Sequence, residues 1–174
     1  RGSESDVLDR YYQAAGYYNA SAFVRITSDC PLIDPAVVDK TVEGYLNDIN
    51  RFDGSSNVII RSYPRGLDTE GFSFQTLEKC WKQAKKEYHR EHVTIYIHEH
   101  LNIFAVASVQ NKEDLSYLRW TVDEEADLSF VREVYKVLYP LKKTFLMDDI
   151  LPLLKIRPEL ETINKHIKQE RENE

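Results

Sequence analysis

Two aspartates fall where a carboxylate can be put to chemical use. Asp29 lies just past a β-rich run, Ala22-Phe23-Val24-Arg25-Ile26-Thr27, and Asp123 follows a second run, Leu118–Val122. Ligands of open α/β sheets gather in the crevice beyond the carboxyl ends of strands. If folding brings the pair together, it makes a hard-oxygen site suited to Mg²⁺, an ion that takes one or two carboxylates plus substrate phosphates and water. The structural alternative is that Asp29 is a turn residue and Asp123 a helix N-cap. Arg25 places a charge inside an apolar strand, so it pairs with a carboxylate or reaches a ligand's phosphates. Cys30 stands beside Asp29 with no histidine paired to it locally, which argues against a catalytic thiol. His98-Glu99-His100 lacks the i, i+4 histidine spacing of a helical zinc site, so zinc is rejected there.

The elements that must position these residues follow from periodicity. Ser3-Glu4-Ser5-Asp6 offers a capping box with Ser3 as N-cap, and Val7, Leu8, Tyr11, Tyr12 and Ala15 then mark one apolar helix face. The run 22–27 reads as a short, largely buried strand. Asp34-Pro35 caps and opens a helix carrying Val37, Val38, Thr41, Val42, Tyr45 and Leu46. Strands are expected at Asn57–Ser62, Thr69–Phe72, Ile103–Val109 and Leu118–Val122. Ser73 caps a helix with Phe74, Leu77, Cys80, Trp81 and Ala84 on one side, and His89–His100 reads as helical. Leu128, Val131, Val134, Tyr135 and Leu138 mark another helix, stopped by Pro140; helices at Ile150–Leu154 and Pro158–Glu172 follow. Trp81 and Trp120 are read as core. Alternating strands and helices imply a layered α/β fold with a mostly parallel sheet.

Composition narrows the class. The 174 residues are 42% hydrophobic and 11% aromatic, enough for one folding unit with a real core. No apolar run approaches the ~18 residues of a membrane span. The net charge of −6 and the lack of a basic stripe speak against a nucleic-acid partner or an anionic membrane surface. Two cysteines, Cys30 and Cys80, make neither a disulfide framework nor a metal knuckle, and a reducing cytoplasm is the expected compartment. The chain begins at Arg1 and its only methionine is Met147, so it is expected to be a fragment or a processed product.

Arg25-Ile26-Thr27-Ser28-Asp29-Cys30-Pro31-Leu32-Ile33-Asp34-Pro35 resembles the signature of the spore-coat polysaccharide biosynthesis proteins. These belong to the cytidylyltransferase family that also holds the synthetases of CMP-linked acidic sugars. The resemblance continues through Tyr63-Pro64-Arg65-Gly66-Leu67-Asp68, Arg90-Glu91-His92-Val93-Thr94, Leu118-Arg119-Trp120-Thr121-Val122-Asp123 and Ile163-Asn164-Lys165-His166. Taken together these blocks, in order over nearly the whole chain, make the resemblance specific.

The resemblance implies a three-layer α/β/α nucleotidyltransferase fold of the nucleotide-diphospho-sugar transferase type, with a mixed, mainly parallel sheet. Residues 1–174 would be the C-terminal two thirds of that single domain, ending in a helical extension from about 148 to 174. It implies transfer of CMP from CTP to a sugar or sugar acid with release of pyrophosphate. Asp29 and Asp123 match the metal-binding aspartates, Arg25 joins them as a catalytic residue, and Mg²⁺ is the implied cofactor. Arg65, Asp68, Glu70, Arg90 and His92 are implied substrate-binding residues, with Arg65 able to hold a carboxylate bidentately. After Asp123 the family has Thr-Pro-Glu-Asp-Leu, whereas this chain has Glu124-Glu125-Ala126-Asp127-Leu128. The extra acids favour the helix N-terminus but add negative charge beside a triphosphate.

The family's first strand and its glycine-rich phosphate loop would precede Arg1, and the six glycines here form no such loop. The chain alone is therefore expected to be inactive and to have an open sheet edge that either a further N-terminal segment or a homodimer would cover. The alternative function is a non-catalytic sugar-binding or assembly partner in polysaccharide biosynthesis.

Overall fold

The computed structural model describes residues 2–167. Helix α1 (Val7–Tyr17) is capped by Asp6, whose carboxylate accepts the Asp9 N–H at 2.9 Å, while Ser3 Oγ accepts the Asp6 N–H at 3.3 Å. The cap thus lies three residues beyond the expected Ser3. Arg90 sets it there by donating to both Asp6 carboxylate oxygens at 2.7–3.1 Å. Leu8 is fully buried beside Phe72, Leu77 and Phe104. Each such side chain contributes about 1.5–3 kcal/mol against about 1 kcal/mol for a cap, so packing decides where α1 lies.

Strands β1 (Ala22–Arg25), β2 (Gly54–Ser56), β3 (Glu70–Ser73) and β4 (Val106–Ser108) form one mixed sheet in the order β1-β3-β2-β4. β3 runs antiparallel to β1 and β2, and β4 is parallel to β2. A mixed sheet was expected, but among the described residues its pairings are more antiparallel than parallel. β1 is an edge strand, so the largely buried strand expected there is half exposed: Phe23 faces the helices, whereas Val24 and Ile26 are each 41% exposed.

Residues 57–62 are not a strand. Asn57 takes over the pairing with its side chain, donating to Leu67 C=O at 2.7 Å and accepting from Thr69 N–H at 2.9 Å, which ends the ladder. Leu118–Val122 is reduced to a single parallel bridge, Arg65 to Arg119.

Helix α2 (Pro35–Leu46), capped by Asp34 as expected, packs on β2, β3 and β4, where the Ser55 hydroxyl donates to Thr41 C=O. α3 (Phe74–Gln83), capped by Ser73, packs with α1 against β3. The helix expected over 89–100 breaks into α4 (Glu87–Glu91) and α5 (Ile95–Glu99). The break is a tight turn: Thr94 N–H donates to His92 C=O at 2.6 Å across Val93, whose φ is +61°. A β-branched residue at positive φ is strained. α6 (Glu125–Leu138), α7 (Met147–Ile156) and α8 (Glu159–Thr162) complete the chain. α8 is far shorter than the helix expected from Pro158, and residues beyond 167 lie outside the described residues.

Two hydrophobic clusters result. One packs α6, α7 and α8 around Tyr63, Leu118 and Trp120; the other packs α1, α3 and α5 around Phe72.

Candidate active site

The segment after β1 and the segment before α6 are tied side by side. Val122 N–H donates to Asp29 C=O at 2.9 Å, and Thr121 Oγ1 donates to the Asp29 carboxylate at 3.1 Å. These bonds set the backbone just before Asp123 against Asp29. Burial pushes the Asp29 carboxyl up, but donors from Thr27, its own backbone, Thr121 and Cys30 outweigh it and hold Asp29 below the ordinary aspartate range. Asp29 is therefore ionised at neutral pH. Burial pushes the Cys30 thiol up to about 12, which agrees with the reading that it is no nucleophile.

Asp123 is 47% exposed and accepts from Arg119 Nη2 at 2.6 Å. It is not the N-cap of α6; Glu124 is, paired in a capping box with Asp127. Asp127 is fully buried and was not singled out from sequence. It accepts two N–H bonds from Arg119 at 2.9 Å, the backbone N–H groups of Asp123 and Glu124, and the Asn164 amide at 2.9 Å. Asn164 also donates to Arg119 C=O. Asp123 is thus fixed by a cation on its own side chain and by Asp127 on its backbone. The signal for Asp127 was its spacing from Glu124, three residues on, as a capping box requires.

The donor set fits Mg²⁺: two carboxylates, hard oxygens, one of them held ionised by neutral donors. Among the described residues no group of three His, Cys, Asp or Glu side chains that could hold a metal ion exists.

Arg25 and Glu70 face each other across β1 and β3, bonded at 3.2 Å. Arg25 thus has the carboxylate partner expected of it. Glu70 is 2% exposed and accepts as well from Ser56 Oγ, Thr94 Oγ1 and His98 Nε2 at 3.1, 2.6 and 2.5 Å. Burial opposes its ionisation, but His98, Arg25 and Thr94 together lower its pKa to about 2. With its oxygens so engaged, Glu70 shapes the floor beneath Arg25 rather than meeting a sugar.

The other expected substrate residues are scattered. Asp68 receives a bidentate Arg61 at 2.5 and 2.7 Å. Arg90 is spent on Asp6 and on Trp81 C=O, so it works as a tie between α1 and α4. Arg65 bonds through its backbone to Leu118 C=O and Trp120 N–H, beside the Asp123 segment. His92 is half-buried at the strained turn and has no side-chain hydrogen bond among the described residues.

A layered α/β fold that sets paired aspartates on neighbouring segments past its strands defines a nucleotidyltransferase-like protein. The comparisons with known proteins agree. The sequence matches the family described as Cytidylyltransferase over residues 1–167, and the chain belongs to that family. It is 39% identical over 173 residues to an uncharacterized protein of Methanocaldococcus jannaschii, covering 97% of this chain and 68% of that one. It is 28% identical over 139 residues to the spore coat polysaccharide biosynthesis protein SpsF of Bacillus subtilis, covering 78% of this chain and 56% of that protein. Among solved structures, a cytidylyltransferase from Leptospira borgpetersenii serovar Hardjo-bovis superposes with a TM-score of 0.88 at 31% identity, covering 98% of this chain and 70% of that one. No helix among the described residues is long and apolar enough to cross a membrane.

Proposed function

We propose that this chain carries the metal side and the sugar side of an enzyme that transfers CMP from CTP to a sugar in polysaccharide biosynthesis. The observation that carries the proposal is the pairing of Asp29 with Asp123 through Val122 and Thr121. In the reaction the sugar hydroxyl oxygen bonds to the α-phosphorus, the bond from that phosphorus to the bridging oxygen breaks, pyrophosphate leaves with the electron pair, and the hydroxyl proton passes to solvent.

Asp29 and Asp123 would hold Mg²⁺, which supplies charge neutralisation at the α-phosphate. Thr121, Thr27 and Cys30 keep the Asp29 carboxylate oriented and ionised. Arg119 and Asp127 hold the Asp123 segment in register with it. Arg25, on its Glu70 support, offers a positive charge for phosphate oxygens or a sugar carboxylate. Catalysis of this kind is positioning plus charge stabilisation. An acidic chain can therefore serve a polyanion. The names of SpsF and of the Leptospira enzyme support the sugar-polymer context and the cytidine nucleotide.

The test is thermal stabilisation of the chain by a panel of nucleoside triphosphates with Mg²⁺. CTP is expected to raise the melting temperature most, and Asp29→Asn is expected to abolish that preference; because the substitution removes an ionised carboxylate that several donors hold, each shift is read against the variant's own unliganded melting point. Indifference to every nucleotide would instead favour a sugar-binding role without turnover.

A further inference from the structure

The sheet face that His98 of α5 reaches changes character at its carboxyl edge. β1, β2 and β4 run parallel, and their last residues, Arg25, Ser56 and Ser108, fall in one row with Glu70, the first residue of β3. Two residues further back on the same face the row is Phe23, Phe72, Gly54 and Val106, and its apolar members belong to the cluster that α1 and α3 cover. Ligands of α/β sheets gather at the carboxyl ends of parallel strands. The polar row therefore lies at the edge from which the chain runs on to Asp29.

Glu70 is the hub of this row. Its Oε1 accepts from Ser56 Oγ and His98 Nε2, and its Oε2 from Thr94 Oγ1 and Arg25 Nη1. An ionised carboxylate only accepts, so His98 Nε2 carries a proton whichever charge the ring bears. The bonds from Thr94 and His98 measure 2.6 and 2.5 Å, whereas Arg25 gives a single N–H at 3.2 Å. Among the described residues Arg25 thus commits one of a guanidinium's five N–H donors, and its side chain is 22% exposed. Other arginines are clamped harder: Arg61 grips both oxygens of Asp68, and Arg90 both oxygens of Asp6. The chain also gives up local stability to place Thr94. Val93 holds φ +61° beside it, and α5 has no side-chain cap while the hydroxyl at its N-cap position is turned to Glu70.

A buried carboxylate left short of donors draws in the cation beside it. With Ser56 alone to help, Glu70 would take Arg25 as a bidentate partner and use up the guanidinium's fork. We propose that His98 and Thr94 are positioning residues: by satisfying Glu70 they hold Arg25 to one N–H and leave its remaining donors as a forked seat for a ligand oxyanion, phosphate or carboxylate, at the carboxyl edge of the sheet. The seat rests on the reading that Arg25 serves the nucleotide or the sugar, but the state of Arg25 is measurable without either. Because His98 acts through an N–H, a side-chain amide in its place serves as well.

The test is modification of the folded chain by phenylglyoxal, with the rate at each arginine followed by peptide mass spectrometry. Arg25 is expected to react faster than the clamped Arg61 and Arg90. His98→Phe is expected to slow Arg25 about fivefold, and His98→Gln to restore most of the rate. Thr94→Val keeps the shape and removes the other donor, so it is expected to slow Arg25 too, and it decides the question if His98→Phe does not fold. The affinity for CTP with Mg²⁺, read by thermal shift, is expected to fall about tenfold in His98→Phe and to recover in His98→Gln. Arg25 rates untouched by these substitutions, or a His98→Gln chain as slow as His98→Phe, overturn the proposal. Arg25 rates that respond as expected in a chain indifferent to CTP support the positioning role and refute the nucleotide reading alone.

Discussion

Glu70 and Asp127 are buried carboxylates that no apolar pattern announces, and each is satisfied by several donors. Such groups are stabilising only while every partner is present; stripping one away leaves a charge buried and unpaired. Asp127→Ala would strand the Arg119 guanidinium and free the Asp123 backbone, so a loss of about 3–5 kcal/mol is expected in urea unfolding. Asp127→Asn, which keeps acceptor and shape, should lose clearly less.

Glu70 gives a pH signature. Its folded pKa of about 2 lies below its ordinary value of 4.5. Its contribution, on the order of 3 kcal/mol, is therefore fully present above about pH 4.5 and fades as pH falls through the folded value. Glu70→Gln should flatten the acid limb of the stability curve between those two pH values, measured by urea midpoints. An unchanged acid limb would mean that other carboxylates carry it.

At the scale of elements, the site depends on segments that are barely regular. Gly66 has φ +98°, and a Cβ there would lie 2.5 Å from the backbone of Trp120 and Thr121. That close approach lets residues 65–67 run beside the segment that carries Asp123. Gly66→Ala is expected to cost at least about 1–3 kcal/mol and to lower the thermal midpoint more than a loop alanine would.

The helices with a strong apolar period and a capping residue, α2 and α3, were legible in the sequence almost to the residue. The strands were less so. β-rich composition at 57–62 and 118–122 marked buried extended chain, but side chains such as Asn57 took the hydrogen bonds a ladder would have used. The split of α4 from α5 turns on Val93, a residue whose type gives no warning of positive φ. Asp29, Asp123 and Arg25 stand out in the sequence because they follow or end apolar runs. Asp127, Asn164 and His98 were missed as positioning groups because their partners lie far away in sequence and only the fold pairs them.

At the scale of the whole molecule, the sheet is uneven. α2 covers β2, β3 and β4, while β1 keeps one edge unpaired among the described residues and shows Val24 and Ile26 on its outer face. Exposed apolar edges invite pairing with another chain. The chain is expected to self-associate at high micromolar concentration in sedimentation experiments, and Val24→Lys to suppress this without lowering the melting point. A monomer at all concentrations, or association untouched by Val24→Lys, would place any dimer contact elsewhere.

The two hydrophobic clusters have a consequence for motion. Asp123 follows Trp120 and Val122 of one cluster, whereas Arg25 and Glu70 lie on the strands that carry Phe23 and Phe72 of the other, and only the short stretch from Ile26 to Ser28 separates Arg25 from Asp29. Clusters of this kind commonly open as separate cooperative units. Amide hydrogen exchange should therefore show two protection classes, with the Val122 N–H that bonds to Asp29 exchanging at the rate of the weaker one. The pairing of the aspartates would then dissolve before the molecule unfolds, and a ligand that bridges them would slow exchange in both halves at once.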